Sequence, residues 1–591
     1  MSGLNSALQI GRNALMAQSY GLDVTGHNIA NVNTEGYTRQ TVLYDALEPI
    51  STSGVFVGRG VNVDHVLSTR DQFIEDQIMT ENSLMYAFEE AEKYIQVLEG
   101  YFTEDSEAGL STLLADFWNL WQDVSNNPSG GSERIALYEH SVELSNRINT
   151  LKDDLVGMEK ELTQALAADV QDINRLAGEI ANINDRISGA EIHGAANDLR
   201  DQRNQLLSEL SSLIDVTAFE QENGCLTVCT AKGCVLVQGA DSYALATGGA
   251  EGDRVLWQGS GGSAVDLTDE ITNGKMGGLL EMRDGVVAEC TLNLDAFARE
   301  LVFSVNQQHS QGVGLSPASS AVGSYASHAP GEAMGTTPSG LSYGDKIRDG
   351  SFKLWLYDEN GDAVVAGGTT LTIDADVTAL YNPDPSSQDL VSAINGLDPN
   401  LSATLVAGRL QIDASNGYTF AFSDDTSNGL AALGINTFFK GTDAGSMGVH
   451  DQLTSHKDLI NAALMASDGT FSAGDNRNAL AVAGVKSSPL DIVQWSCDRS
   501  HGNQQGRLNS TLEDYYYAMV GALGIRSASI TRERASCEGL LNQFTGIRDS
   551  ISAVSLDEEM MNLIKYQQAY VAASKLIQTS SEMIDTLLEL N

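Results

Sequence analysis

The chain has 591 residues, 42% of them hydrophobic and 6% aromatic, with 57 glycines against 9 prolines, so packed cores and many turns are expected rather than an aromatic-lined pocket. At about 100 to 200 residues per domain this length predicts several domains. The 79 acidic residues against 34 basic ones give a formal net charge of -45, a field that repels phosphate backbones, excludes nucleic acid as a partner and keeps like-charged subunits soluble.

Leu8, Leu15, Leu22 and Ile29 fall seven apart and predict an N-terminal helix carrying a narrow apolar stripe. The first twenty residues hold Arg12 as their cation and interleave apolar residues with Asn, Gln and Ser, unlike a Sec signal. The stripe runs out at NIANVNTEGYTRQ, where Asn28, Asn31, Asn33 and Gly36 tolerate turns, so the helix is expected to end near residue 30.

From 71 to 215 the pattern is helical, with Leu144, Ile148, Leu151, Leu155, Leu162, Leu166, Ile173, Ile180 and Ile187 forming a long apolar face. A break at Gly189 to Gly194 precedes NDLRDQRNQLLSELSSLIDV, which predicts a helical hairpin with Asn197 or Asp198 near the cap. Residues 216 to 275 alternate as a small β domain, with a turn at Lys232-Gly233. Its cysteines, Cys225, Cys229 and Cys234, lack a fourth ligand at a zinc spacing and are read as small apolar residues.

Helix is expected again over 276 to 312, and the Gly, Ser, Ala and Pro content of 313 to 344 reads as linker. FKLWLY, TTLTID, SATLVAG, RLQIDA and YTFAFS then supply strands of an outer β domain over 345 to 445, with ENGD at 359 to 362 as a hairpin turn. Residues 446 to 549 read as mostly helical. The C-terminal helix places Leu556, Leu563, Tyr570, Ile577 and Ile584 seven apart, and Ser555 with Glu558 reads as a capping box at its start.

No run approaches the roughly 18 apolar residues of a membrane span. P-loop, dinucleotide, HExxH and GxSxG motifs are missing in usable form, so no catalytic residue, metal site or cofactor is assigned. His27 and His193 lie in polar or turn contexts, and the acidic turns Asp358 to Asp362 and Asp374 to Asp376 lack the spaced ligands of a calcium loop.

Four segments, GLDVTGHNIANVNTEGYTRQ, VGRGVNVDHVLSTRDQFIEDQ, NDLRDQRNQLLSEL and SLDEEMMNLIKYQQAYVAASKLIQTSSEMIDTLLEL, resemble the flagellar rod, hook and hook-associated axial protein family. The GYTRQ ending, in place of the GF type of rod and hook proteins, is similar to the hook-associated members of the hook-filament junction. The resemblance implies a non-enzymatic structural subunit, exported by the flagellar type III apparatus to the extracellular junction. Its expected partners are copies of itself in a ring, the hook protein, a second junction protein next to the filament, and an export chaperone at the C-terminal region.

The resulting expectation is an α+β multidomain chain. Residues 1–70 and 550–591 form a coiled-coil-like terminal core, and 71–215, 276–312 and 446–549 a helical stalk with the β domains inserted. Assembly contacts are expected from Leu8, Leu15, Leu22, Ile29, Asn28, Asn31, Gly36 and Tyr37, and from Leu556, Leu563, Tyr570, Ile577 and Ile584. Another axial subunit such as a hook protein, or a ligand-binding or enzymatic module displayed at 345–445, are the alternatives.

Overall fold

The computed structural model describes residues 2–34, 36–52, 55–103, 109–191, 194–221, 223–250, 252–259, 262, 264–373 and 386–589. His193 and the turn Asp374 to Asp376 lie outside them. Long helices and short antiparallel sheets alternate in an α+β arrangement. The long helices are α1 (Ser2–Ala30), α2 (Gln72–Tyr101), α3 (Leu110–Asn126), α4 (Gly131–Ala190), α5 (Asn197–Leu213), α6 (Ala288–His309), α7 (Leu512–Ser552) and α8 (Leu556–Glu589). Two antiparallel pairs stand among them, β1 (Gln40–Ala46) with β2 (Val61–Ser68), and β3 (Leu490–Asp498) with β4 (Gly502–Ser510). The chain divides into two units, one of residues 1–94, 161–282 and 528–591, the other of 95–160 and 283–527.

α4 runs unbroken for 60 residues because apolar side chains recur every three or four positions with no proline among them. Leu162, Leu166, Ile173, Ile180 and Ile187 are buried in the first unit, where α4 meets a four-stranded sheet of Val216–Glu220, Leu226–Thr230, Val235–Gln238 and Asp241–Ser242. Asn184 ties helix to sheet: its amide donates to the carbonyls of Leu226 (2.8 Å) and Gly239 (2.9 Å), and its Oδ1 accepts from Leu226 N (3.0 Å) and from the buried Arg203 (3.1 Å). Arg203 also donates to Gly224 O and Glu220, so the start of the sheet is pinned to α5. Gly233 reverses the chain with φ +83°, and Cys225 and Cys229 are buried as apolar residues while Cys234 is half-buried.

One carboxylate in this unit opposes folding at neutral pH. Asp169 on α4 is largely buried, its Oδ2 has no hydrogen-bond partner among the described residues, and burial pushes its carboxyl up to about 6. Glu90 on α2 and Asp172 on α4 add to the rise, while Lys275 and Lys93 oppose it. A carboxyl whose folded value is raised is destabilising when ionised. Its penalty is therefore absent well below pH 4, grows between about 4 and 6, and stands in full at pH 7. Asp169→Asn is expected to stabilise the first unit at pH 7 by about 1–2 kcal/mol after allowance for solvent screening, with the gain vanishing near pH 4. Denaturant titrations at the two pH values measure the difference, and an equal effect at both would remove the ionisation argument.

In the second unit α3 buries Leu110, Leu113, Leu114, Phe117, Trp118 and Trp121 along one face. The expected strands form: Gly350–Tyr357 lies between Thr369–Ile373 and Thr419–Ser423, and Arg409–Ala414 lies between Leu401–Val406 and Ser320–Ala326. The ENGD turn closes through Gly361 N donating to Asp358 O (3.0 Å).

Two stretches differ from their sequence reading. Within 313–344, read as linker, Ser320–Ala326 is an edge strand, and Ala321, Tyr325, Met334 and Tyr343 are buried. Its small residues serve close packing, since a Cβ at Gly323 would stand 2.6 Å from the Leu433 carbonyl oxygen. Residues 490–510, read as part of a mostly helical stretch, form the β3–β4 pair in register from Leu490↔Ser510 to Asp498↔Gly502. The two-residue alternation of LDIVQWSCD was the available signal, diluted by helical sequence on either side.

Candidate functional site

The loop after α1, the residues following β2, the start of α5 and the start of α8 converge in the first unit. α1 ends at Ala30, where Asn31 caps it by donating both its backbone N–H and its side-chain amide to His27 O, each at 3.1 Å. Gly36 then takes φ +76°, a left-handed conformation that costs a glycine nothing. The chain turns back so that Tyr37, Thr38, Arg39 and Gln40 lie beside the end of the helix.

Asn28, 1% exposed, is the centre of the arrangement. Its amide donates to Gln40 O (2.8 Å) and to Glu559 Oε2 (3.1 Å), and its Oδ1 accepts from the Tyr37 hydroxyl (2.8 Å) and from Gln40 N (3.0 Å). Glu559 is buried in the first turn of α8 and is met by Arg39 Nε at 2.9 Å, while Arg39 Nη1 reaches Glu558 at 2.7 Å. The backbone follows the same path, with Arg39 N donating to Ser552 O (2.9 Å) and Thr69 N to Arg39 O (2.8 Å).

The start of α5 closes the other side. Asp201 accepts from Thr38 N (2.9 Å) and from Arg70 (3.2 Å), and Asp198 accepts from Gln40 Nε2 (2.8 Å). Asn197 donates to Val66 O at 3.0 Å. Burial, then the Asp198, Asp201 and Glu559 carboxylates, push the Tyr37 phenol well above its ordinary value, so it stays a hydrogen-bond donor throughout the physiological range. Burial likewise raises Asp201, against the opposing donors Thr38 and Arg70. This hydrogen-bonded clasp joins residues 28–40 to residues 558–559.

Beside the clasp α1 packs on α8 along a line of small residues. Gly11, Ala17, Gly21, Thr25 and Asn28 are buried on α1, and Glu559, Ala573 and Ser580 on α8. A Cβ at Gly11 would stand 2.7 Å from Ile577, and one at Gly21 would stand 2.8 Å from the Tyr566 ring, so the helices approach where α1 has no side chain. Leu8, Leu15, Leu22 and Ile29 are half-buried, roughly a quarter turn to one side of that line. Leu563, Ile577 and Ile584 are half-buried too, whereas Leu556 and Tyr570 are exposed. With Met560, Ile564 and Val571, Leu556 makes an apolar stripe on α8 that is left open among the described residues, all four being about half exposed.

Asn28, Asn31, Gly36 and Tyr37 thus belong to one site, while the leucines flank it. Sequence reading assigned no role here to Arg39, Arg70, Asp201 or Glu559, and took Asp198 and Glu558 for helix-cap residues. A signal existed for Glu559: it stands seven residues before Tyr566, in the register of the buried line, where an acid requires a partner.

Three family descriptions match the chain: Flagella basal body rod protein over residues 8–38, Flagellar hook-associated protein FlgK helical domain over 95–322, and Flagellar basal body rod FlgEFG protein C-terminal over 549–590. The chain is 28% identical to Flagellar hook-associated protein 1 of Escherichia coli strain K12, with both chains covered in full. It is 27% identical to the protein of that name from Bacillus subtilis strain 168, over all of this chain and 98% of the relative. The structure of the flagellar hook junction protein FlgK from Burkholderia pseudomallei shares the fold with a TM-score of 0.51 and 16% identity, over 81% of this chain and 100% of that one.

Proposed function

We infer, for a chain that belongs to the flagellar hook-associated protein 1 family, a structural axial subunit of the bacterial flagellum at the hook-filament junction. It self-assembles and associates with hook components. The observation that carries the reading further is the uncovered stripe Leu556, Met560, Ile564 and Val571 beside the clasp. An apolar face left open by its own chain gains its burial when neighbours arrive. In our reading copies form a ring through it, with α1 and α8 acting as a coiled-coil-like core between the hook protein on one side and a second junction protein next to the filament on the other. The terminal segments order as the ring forms, and before that an export chaperone covers the C-terminal stripe. Export by the flagellar type III apparatus belongs to the same reading.

A strain lacking this chain is expected to carry hooks without filaments and to shed flagellin into its medium. Electron micrographs and an immunoblot of the supernatant measure both. Filaments of normal number and length in that strain would sink the junction role.

A further inference from the structure

The second unit holds two cysteines at one helix-strand contact. Asn293 of α6 donates to Trp495 O (3.0 Å) and accepts from Trp495 N (2.8 Å), and Cys497 N donates to Glu289 Oε2 (3.1 Å). Moving back along α6 from Asn293 to Glu289 therefore corresponds to moving forward along β3 from Trp495 to Cys497. Cys290 lies between those two anchors and is buried, and Cys497 is half-buried on the strand face it shares with Trp495. Burial pushes the Cys290 thiol up to about 12, with Glu289 and then Cys497 adding to the rise. Tyr515 holds the strand in this register by donating to Val493 O (2.8 Å).

We propose that Cys290 and Cys497 are a disulfide-forming pair that locks the β3–β4 pair onto α6 when the protein meets a small disulfide oxidant. The chemistry balances with glutathione disulfide as co-reactant. The more accessible Cys497 thiolate attacks it, one glutathione thiolate leaves, and a mixed disulfide forms on Cys497. Cys290 gives its proton to solvent and attacks Cys497 Sγ, expelling the second glutathione thiolate. Two protein thiols are oxidised and one glutathione disulfide is reduced to two thiols. Because Cys290 holds its proton tightly, the second step is slow and speeds up with rising pH. The consequence is mechanical. Among the described residues β3 and β4 pair only with each other, and a two-stranded ribbon is marginal by itself. The bond would close a loop about as long as the 208-residue separation of Glu289 and Cys497. The proposal does not rest on the assembly reading.

The full chain incubated with oxidised glutathione, alkylated and digested is expected to yield one peptide pair linked through residues 290 and 497. The melting transition of the second unit should rise by about 5 °C and fall back on addition of reductant. Cys497→Ser should show neither change. Recovery of Cys290 and Cys497 as free thiols or as separate glutathione adducts would overturn the proposal. So would an equal melting shift in Cys497→Ser.

Discussion

A chain lacking residues 556–591 is expected to keep a folded second unit and to lose hook-filament joining altogether. The truncation removes all of α8 and nothing from residues 95–160 or 283–527. Helix α1 would then expose the small-residue line Gly11, Ala17, Gly21 and Thr25, which has too little side chain to hold another surface. Arg39 would lose both glutamates and Asn28 one of its acceptors. Motility of a complemented deletion strain measures the loss, and circular dichroism with a melting scan of the purified truncation measures the surviving fold. Normal filaments from the truncated chain would remove α8 from assembly, and an unfolded product would instead mean that the two units are interdependent.

Asn28→Asp carries the second-largest expected effect. The substitution keeps the shape but turns the donor that meets Gln40 O at 2.8 Å and Glu559 at 3.1 Å into a carboxylate oxygen. Two hydrogen bonds are lost and a like charge is placed against a buried glutamate, a cost of about 3 kcal/mol or more. Asn28→Ala, which loses the bonds without adding charge, should cost about 2 kcal/mol. Hydrogen exchange across residues 24–40 reads the clasp and swarming plates read the assembly. If Asn28→Ala proved the more damaging replacement, the electrostatic account of the clasp would be wrong. Acidification should narrow the gap between the two variants, since the introduced carboxyl regains a donor once protonated and its penalty belongs to the ionised form.

Local periodicity made much of this chain readable. The end of α1, the turn at Gly36, the long run of α4 and the five strands between 350 and 423 each follow from residue spacing within a window of about a dozen positions. What stayed hidden depends on contacts distant in sequence. The seven-residue stripe of α1 pointed to its leucines. The buried line instead follows Gly11, Ala17 and Gly21, because close approach of two backbones selects for missing side chains, and hydrophobicity does not register a glycine. Glu558 reads locally as a capping-box acid, yet its carboxylate accepts from Arg39. The run 313–344 has a linker's composition, but its burial is set by strands that come some ninety residues later in the chain, as the 93-residue step between hydrogen-bonded Ser320 and Asp413 illustrates.

The clasp also sets a timetable. Its Asn28–Glu559 bond joins residues 531 positions apart, and Arg39–Glu558 joins residues 519 apart. Loop-closure entropy grows only with the logarithm of length, so closing so long a loop costs roughly 1.5 kcal/mol more than closing one of a hundred residues. Distance along the chain delays this contact far more than it weakens it. A polypeptide emerging from its N-terminus displays Asn28 and Arg39 long before it supplies Glu558 and Glu559, which follow them by 531 positions for Asn28–Glu559 and 519 for Arg39–Glu558. The clasp therefore latches only once the segment that carries Glu558 and Glu559 has been made, so its closure reports that both halves of the pairing are present in one chain.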